Sequence, residues 1–160
     1  MIMRGRPGPA TTSIENPTAM KEPELVVQEP QGFELWAVGG GKGGTGKSAL
    51  CASLGFQLSR LGRRVVLVDA DFGSANLHTC LGVPAPAQSL LDFLRGGGSV
   101  VDEYARPTPY PNLRLIGGRV DESLHALPTG WANRLATALR ALPVDVVLLD
   151  LGAGVAPDTV

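Results

Sequence analysis

The sequence predicts an α/β fold, a doubly wound and mostly parallel sheet with helices on both faces. Three apolar stretches support this prediction, at residues 34–38, 65–68 and 144–149. The first leads into a glycine-rich loop and a segment with helical periodicity, and the other two each end in an aspartate. Continuous apolar runs of this length are typical of parallel strands that are covered on both faces. Residues 34–68 therefore predict a β-α-β unit with two parallel strands.

The composition indicates one globular domain. The 160 residues are 44% hydrophobic and 18% charged, and the net charge is −1. This balance gives no bulk electrostatic attraction to nucleic acid or to an anionic membrane. No apolar run approaches the roughly 18 residues of a membrane span, and the first residues lack the apolar core of a secretory signal. We therefore expect a cytoplasmic protein.

The first part of the chain reads differently from the rest. Five prolines interrupt residues 1–32, which show no sustained periodicity. We expect these residues to form a disordered N-terminal tail and residues 33–160 to form the domain. A short strand at 25–27 and a role of the tail in binding a partner are the alternatives.

The loop after the first strand has the pattern of a phosphate-binding loop. From Gly41 to Ser48 it reads G-x-x-x-x-G-K-S, between a predicted strand and a predicted helix. Its glycines leave the backbone free to curl around a phosphate and to direct N–H groups at it. Lys47 would reach the β- and γ-phosphates, and the Ser48 hydroxyl would ligate Mg²⁺. The candidate nucleotide-binding residues are Gly41, Lys42, Gly43, Gly44, Thr45, Gly46, Lys47 and Ser48.

Two further segments place carboxylates at strand ends, where doubly wound sheets bind ligands. The second strand ends in Asp69-Ala70-Asp71, whose two carboxylates should point to opposite faces and have different roles. The last apolar run ends in Asp150, followed by Leu-Gly-Ala-Gly. Asp150 would lie near Mg²⁺, and the glycines, Gly154 among them, would let a backbone segment approach the γ-phosphate.

Helical periodicity and turn residues predict the remaining elements. The first helix is expected over 47–61, with an apolar face of leucines at 50, 54, 58 and 61. Cys51 and Cys80 lie in helix-patterned segments without a metal-binding motif, so both are predicted to be buried, reduced thiols. Thr129 is expected to cap a helix over 130–142. Shorter helices are predicted over 74–81, 89–95 and 99–105, and a strand over 113–116.

Lys42, directly after the first glycine, distinguishes this loop from ordinary phosphate loops. The sequence Lys42-Gly-Gly-Thr-Gly-Lys-Ser resembles the deviant Walker A loop of the MinD/ParA family of P-loop ATPases. The resemblance continues through 68–71, Asn76-Leu77 and Leu81-Gly82 to the segment after Asp150, and it covers residues 33 to about 156. The Gly-Ala-Gly after Asp150 looks most like MinD-like proteins and the FlhG/FleN-type regulators of flagellar number.

The resemblance implies an ATP- and Mg²⁺-dependent ATPase that forms a nucleotide-sandwich homodimer. Lys42 would reach the phosphates of the other subunit, and Asp71 would position or activate the attacking water. Asp69 would lie near the water shell of the metal, and Asp150 matches the Walker B carboxylate. Such dimers act as switches in division-site placement, chromosome or plasmid partitioning, or control of flagellar number. They engage a membrane, DNA or a regulatory protein, and some lie peripherally on the inner membrane.

The family pattern also leaves alternatives open. Family members continue beyond the third motif, so we expect the C-terminal half of the fold to be missing from a chain that stops at Val160. The chain could then be a nucleotide- or partner-binding fragment without turnover. An iron–sulfur carrier of the Mrp/nitrogenase-reductase type would need paired cysteines at a dimer face. A small-molecule kinase uses the same loop but requires neither Lys42 nor the Asp69/Asp71 pair.

Overall fold

The computed structural model describes residues 32–40, 43–97, 100–120, 127 and 129–152. Three predicted site residues, Gly41, Lys42 and Gly154, lie outside the described residues, as does all of the predicted tail except Gly32. In the described part of the chain, no helix combines the length and hydrophobicity that crossing a membrane requires.

The predicted parallel sheet is confirmed. Its order is β1-β5-β2-β4-β3, and every neighbouring pair is parallel except β3 with β4. The strands are β1 Glu34–Val38, β2 Val65–Ala70, β3 Arg106–Pro107, β4 Leu113–Ile116 and β5 Val146–Leu151. Among the described residues β1 pairs only with β5, so it forms one edge of the sheet, and its Trp36 is 38% exposed.

Helices cover both faces of the sheet, as the sequence predicts. The α-helices are α1 Lys47–Arg60, α2 Leu77–Cys80, α3 Leu90–Asp92 and α4 Trp131–Arg140. A π-helical turn, Phe93–Gly97, continues α3, and a 3-10 helix spans Val101–Tyr104. Alternate residues of β2 enter two separate cores: Val66 packs in the cluster that holds Leu139 of α4, and Leu67 in the one that holds Cys51 of α1. The sheet is thus the middle of three layers.

The apolar face predicted for α1 is confirmed only in part: Leu54 and Leu58 are partly buried and pack against the core cluster that holds Cys51. Leu50 and Leu61 are 54% and 43% exposed, whereas the helix buries the small residues Cys51, Ala52, Gly55 and Ser59. Small side chains let the helix approach the sheet closely. A Cβ atom at Gly55 would lie 2.6 Å from Cδ2 of Leu67 on β2. Leucine spacing therefore identified the helix and part of the side that contacts the sheet, but not the small residues at the closest approach.

We expect Gly55→Ala to destabilise the chain despite the higher helix propensity of alanine. Alanine gains up to about 1 kcal/mol in a helix interior, but overpacking a close contact typically costs about 1–3 kcal/mol. Because Leu67 is fully buried, it has little room to move away. Urea unfolding should show a net loss on the order of 1 kcal/mol. Ser53→Ala, on the exposed face of the same helix, is the control, and an unchanged or raised stability of Gly55→Ala would contradict the close contact.

Several predicted boundaries also differ from the structure. Thr129 does not cap α4: the N-cap is Gly130, at φ 78°, and no side chain caps the helix. The short helix predicted over 74–81 begins only at Leu77, because Asp71 and Ser74 form a turn with a 3.1 Å hydrogen bond from the Ser74 amide to the Asp71 carbonyl. The predicted strand ends are confirmed more closely, because Asp69 and Asp150 are each the penultimate residue of β2 and β5.

Candidate phosphate-binding site

The predicted phosphate loop joins β1 to α1. Gly44 and Gly46 adopt left-handed backbone conformations, at φ 74° and 84°, which side chains other than glycine rarely adopt. Gly46 is the N-cap of α1, and its carbonyl accepts the first helical hydrogen bond from the Leu50 amide at 2.9 Å. The loop therefore ends at a helix N-terminus, where unpaired amides and the helix dipole favour an anion.

One cavity of about 410 Å³ opens along this loop. Its volume lies in the range of small-molecule sites. All described residues of the predicted loop line it, and the segment after β2 forms the opposite wall. The lining residues are Gly43, Gly44, Thr45, Gly46, Lys47, Ser48, Ala49, Asp71, Ser74, Asn76 and Cys80. The structure thus places Asp71 across the cavity from the loop. Ser74 and Asn76 line the cavity as well, and no role was predicted for either.

Asp150 lies behind the loop as a buried carboxylate. It is 1% exposed, and neither carboxylate oxygen has a hydrogen bond of acceptable geometry within the described residues. Burial raises its pKa, the nearby Ser48 hydroxyl and Lys47 lower it, and Asp71 raises it. The Ser48 hydroxyl is thus close enough to affect the pKa without making a well-formed hydrogen bond. A buried carboxylate without donors is costly, and together with a serine hydroxyl it suits a Mg²⁺ ion, which prefers oxygen ligands.

Asp69 is a second buried carboxylate, and its oxygens accept backbone hydrogen bonds. It lies beside Asp150 in the β2–β5 register and is 1% exposed. Its Oδ1 accepts the Asp71 amide at 3.2 Å, and its Oδ2 accepts the Leu77 amide at 3.0 Å. Burial raises the pKa of Asp69 to about 6, although the two amides lower it. Asp69 faces the interior and Asp71 the cavity, so the two carboxylates have different surroundings, as predicted.

The pKa of Asp69 predicts how stability depends on pH in the metal-free chain. The folded pKa of about 6 exceeds the ordinary value of 3.8, so the folded state binds more protons between these values. The stability that the protonated group provides is present below about pH 4 and lost as pH rises through about 6. At 1.36 kcal/mol per pKa unit, the loss is up to about 3 kcal/mol.

Comparing the wild type with Asp69→Asn isolates this contribution, because other titrating groups are common to both. Urea unfolding from about pH 4 to pH 7 should show the wild type losing stability relative to Asp69→Asn. A difference that stays constant or grows with pH would contradict the raised pKa.

Gly152 is one of the glycines after Asp150 that were predicted to let the backbone approach the γ-phosphate, and in the structure it lies against Asp71. A Cβ atom there would lie 2.8 Å from Cγ of Asp71. The end of β5 therefore touches the carboxylate that faces the cavity, and a residue with a side chain would have to displace it. The glycine was visible in the sequence, but its contact with Asp71 depends on the pairing of β2 with β5.

The two cysteines differ in burial. Cys51 is buried, and burial raises its pKa to about 12. Cys80 is exposed at the end of α2, so the prediction that both thiols are buried is wrong for it. Within the described residues, no three His, Cys, Asp or Glu side chains group together as metal ligands would. This part of the chain gives no support to the iron–sulfur alternative.

Comparison with known proteins agrees with the loop and its surroundings. Residues 36–129 match the CobQ/CobB/MinD/ParA nucleotide binding domain. The chain belongs to this family. The predicted resemblance to the MinD/ParA family is therefore confirmed, and the fold of this MinD/ParA chain is that of a P-loop NTPase.

Similar proteins include two groups with different names. The septum site-determining protein MinD of Synechocystis sp. is 34% identical over 116 residues, which cover 72% of this MinD/ParA chain and 43% of that protein. The antiactivator FleN of Pseudomonas aeruginosa is 32% identical over 129 residues, which cover 79% of this chain and 45% of FleN. The structure of MinD from Pyrococcus horikoshii complexed with Mg-ADP has a TM-score of 0.68 at 29% identity. The match covers 78% of this chain and 51% of that MinD chain. The chain thus spans about half the length of these relatives.

Proposed function

We propose that residues 33–160 are the nucleotide-binding part of a MinD/ParA-type ATPase that acts as a nucleotide-dependent switch. One observation carries the proposal. A glycine-rich loop at a helix N-terminus faces Asp71 across a cavity, and near Ser48 lies the buried carboxylate of Asp150, which has no well-formed hydrogen bond to any described residue. The Mg-ADP in the similar MinD structure supports ATP and Mg²⁺ as the ligands.

The loop residues would bind the phosphates. Backbone amides of Gly43 to Ser48 supply donors, and the N-terminal end of α1 supplies a favourable dipole. Lys47, in the cavity wall, would pair with the β- and γ-phosphates. Ser48 and Asp150 would hold Mg²⁺, which neutralises charge on the phosphate oxygens when it is bound. In the same proposal, Gly41 and Gly154 complete the backbone contacts to the phosphates.

Asp71 would act on the water that attacks the γ-phosphate. It is the carboxylate in the wall opposite the loop, and it is partly exposed to the cavity. A carboxylate in this position can orient a water molecule and accept its proton. Lys42 would act from the second subunit of an ATP-dependent homodimer, stabilising the charge that develops in the transition state.

The proposed location, partners and cellular process follow from the resemblance to the MinD/ParA family. We place the protein in the cytoplasm, and a longer form peripherally on the inner membrane. The partner of the ATP-bound dimer would be a membrane, DNA or a regulatory protein. The similarity to both MinD and FleN leaves division-site placement, partitioning and flagellar number as candidate processes.

Binding of a non-hydrolysable ATP analogue with Mg²⁺, measured by calorimetry, tests the proposal. Lys47→Ala should weaken binding about 10- to 100-fold, the value of a hydrogen bond to a charged group. Arg60→Ala removes a cation from the other end of the same helix and should bind as the wild type does. No binding by the wild type, or equal binding by Lys47→Ala, would refute the site. Binding without phosphate release would favour the second candidate, a nucleotide-binding fragment without turnover.

A further inference from the structure

The loop between β2 and α2 carries three of the side chains that line the cavity. Asp71, Ser74 and Asn76 all lie between the end of β2 at Ala70 and the start of α2 at Leu77. A short connection of this kind has few hydrogen bonds of its own, and the turn from Asp71 to Ser74 accounts for one of them. The position of Asp71 opposite the phosphate loop must therefore depend on contacts from outside the loop.

A single carboxylate contacts both ends of this loop. The two oxygens of Asp69 accept the amide of Asp71, at the first residue of the loop, and the amide of Leu77, six residues later. The Asp69 carboxylate and the Leu77 amide are shielded from water, because Asp69 is 1% exposed and Leu77 is fully buried. Hydrogen bonds to an ionised acceptor in such surroundings are stronger than ordinary ones.

The middle of the loop is packed against the end of β4. A Cβ atom at Gly118 would lie 2.8 Å from Cβ of Ala75 and 3.2 Å from the Asp69 carbonyl oxygen. Ala75 is 2% exposed. The absence of a side chain at Gly118 thus lets the loop lie close to Asp69, within reach of its carboxylate.

We propose that Asp69 is a positioning residue, which holds both ends of the 71–77 loop through two backbone amides and so places Asp71 opposite the phosphate loop. The proposal rests on the proposed function only for its effect on hydrolysis; the effect on the loop is independent of it.

This assignment differs from a role of Asp69 beside the metal. Both of its oxygens already accept hydrogen bonds, and Asp69 is not among the described residues that line the cavity. Asp150, in contrast, has no hydrogen-bond partner among the described residues and lies near Ser48. The two aspartates are neighbours on β2 and β5 but have different roles. Asp150 suits a cation, and Asp69 binds the backbone amides of the 71–77 loop.

Amide hydrogen exchange tests the contact directly in the full chain without nucleotide. In the wild type, the amides of Asp71 and Leu77 should exchange slowly. Asp69→Asn keeps the shape of the side chain, but its NH₂ group cannot accept a hydrogen bond. At least one of the two amides should therefore exchange about tenfold faster or more.

Asp145→Asn is the matched control for this experiment. Asp145 is 8% exposed and accepts the Arg64 amide at 2.7 Å, at the opposite end of the sheet. Its replacement should leave exchange in the 71–77 loop unchanged. If Asp69→Asn does not fold, the wild type alone decides, because a Leu77 amide that exchanges as fast as an unbonded amide overturns the proposal.

Magnesium dependence separates positioning from metal binding. For a positioning residue, Asp69→Asn should lower kcat about tenfold or more, while the KM for ATP and the Mg²⁺ concentration at half-saturation change less than about threefold. A large rise in that Mg²⁺ concentration with unchanged Leu77 exchange would overturn the proposal in favour of a metal role. If the wild type binds no nucleotide, the proposed function fails, and exchange still decides whether Asp69 holds the loop.

Discussion

Asp71→Asn is expected to lower kcat for ATP hydrolysis by about 10²- to 10⁴-fold, the usual contribution of a general base. Asparagine has nearly the same size as aspartate, so the contact with Gly152 and the shape of the cavity should be retained. What is lost is the negative charge that orients the attacking water and accepts its proton. Because Asp71 is not expected to hold the phosphates, the KM for ATP should change little.

Phosphate release under steady-state conditions measures this effect, with Ser74→Ala as the control. Ser74 belongs to the same loop and lines the same cavity, but the proposed mechanism gives it no role in proton transfer. Its replacement should leave kcat within a few fold of the wild type. A kcat for Asp71→Asn equal to that of Ser74→Ala would remove Asp71 from the reaction, whereas a raised KM alone would move it to nucleotide binding.

Lys42→Ala is expected to lower kcat by about 10³-fold or more, as is typical when a cation supplied from a second subunit is removed from a phosphoryl-transfer site. This prediction rests on the sequence, because Lys42 lies outside the described residues. Binding of the nucleotide should be affected far less than hydrolysis, since the charge that Lys42 stabilises develops only in the transition state. Equal rates for wild type and Lys42→Ala would refute the role.

Mixing the two inactive variants tests whether Lys42 acts across the dimer. In a mixed dimer, the site on the Lys42→Ala subunit keeps its own Asp71 and receives Lys42 from the Asp71→Asn partner. With random exchange of subunits, half of the dimers are mixed and each has one complete site, so about a quarter of wild-type activity should return. If Lys42 instead acted within its own subunit, each subunit of a mixed dimer would lack either Lys42 or the Asp71 carboxylate. Neither site would then be complete, and no activity would return.

The sequence predicted the sheet well because its signals are local. The strands at 34–38 and 113–116 have the same bounds in the structure, since each is a short, mostly apolar segment between turn residues. The phosphate loop was equally evident, because glycine spacing and a following lysine and serine determine its backbone. The left-handed Gly44 and Gly46 show the requirement that the glycines meet.

Other features depended on contacts between distant segments and could not be found in this way. The leucine period places Leu54 and Leu58 against the core, but the centre of the buried face of α1 lies where Gly55 approaches Leu67, which the period does not show. The role of Asp69 depends on the chain returning to place the Leu77 amide beside it. The contact between Gly152 and Asp71 requires two strands 81 residues apart along the chain to be neighbours, which follows from the Asp69–Asp150 register.

β1 is an edge strand of the sheet, and the chain passes from it into the phosphate loop. No described strand pairs with the outer row of N–H and C=O groups of β1, and such a row is a template on which another polypeptide segment can add a strand. Such a segment would contact the residues that lead directly into the phosphate loop, because β1 ends at Val38. An added strand would therefore hydrogen-bond to backbone that lies immediately before the phosphate loop, outside the cavity itself.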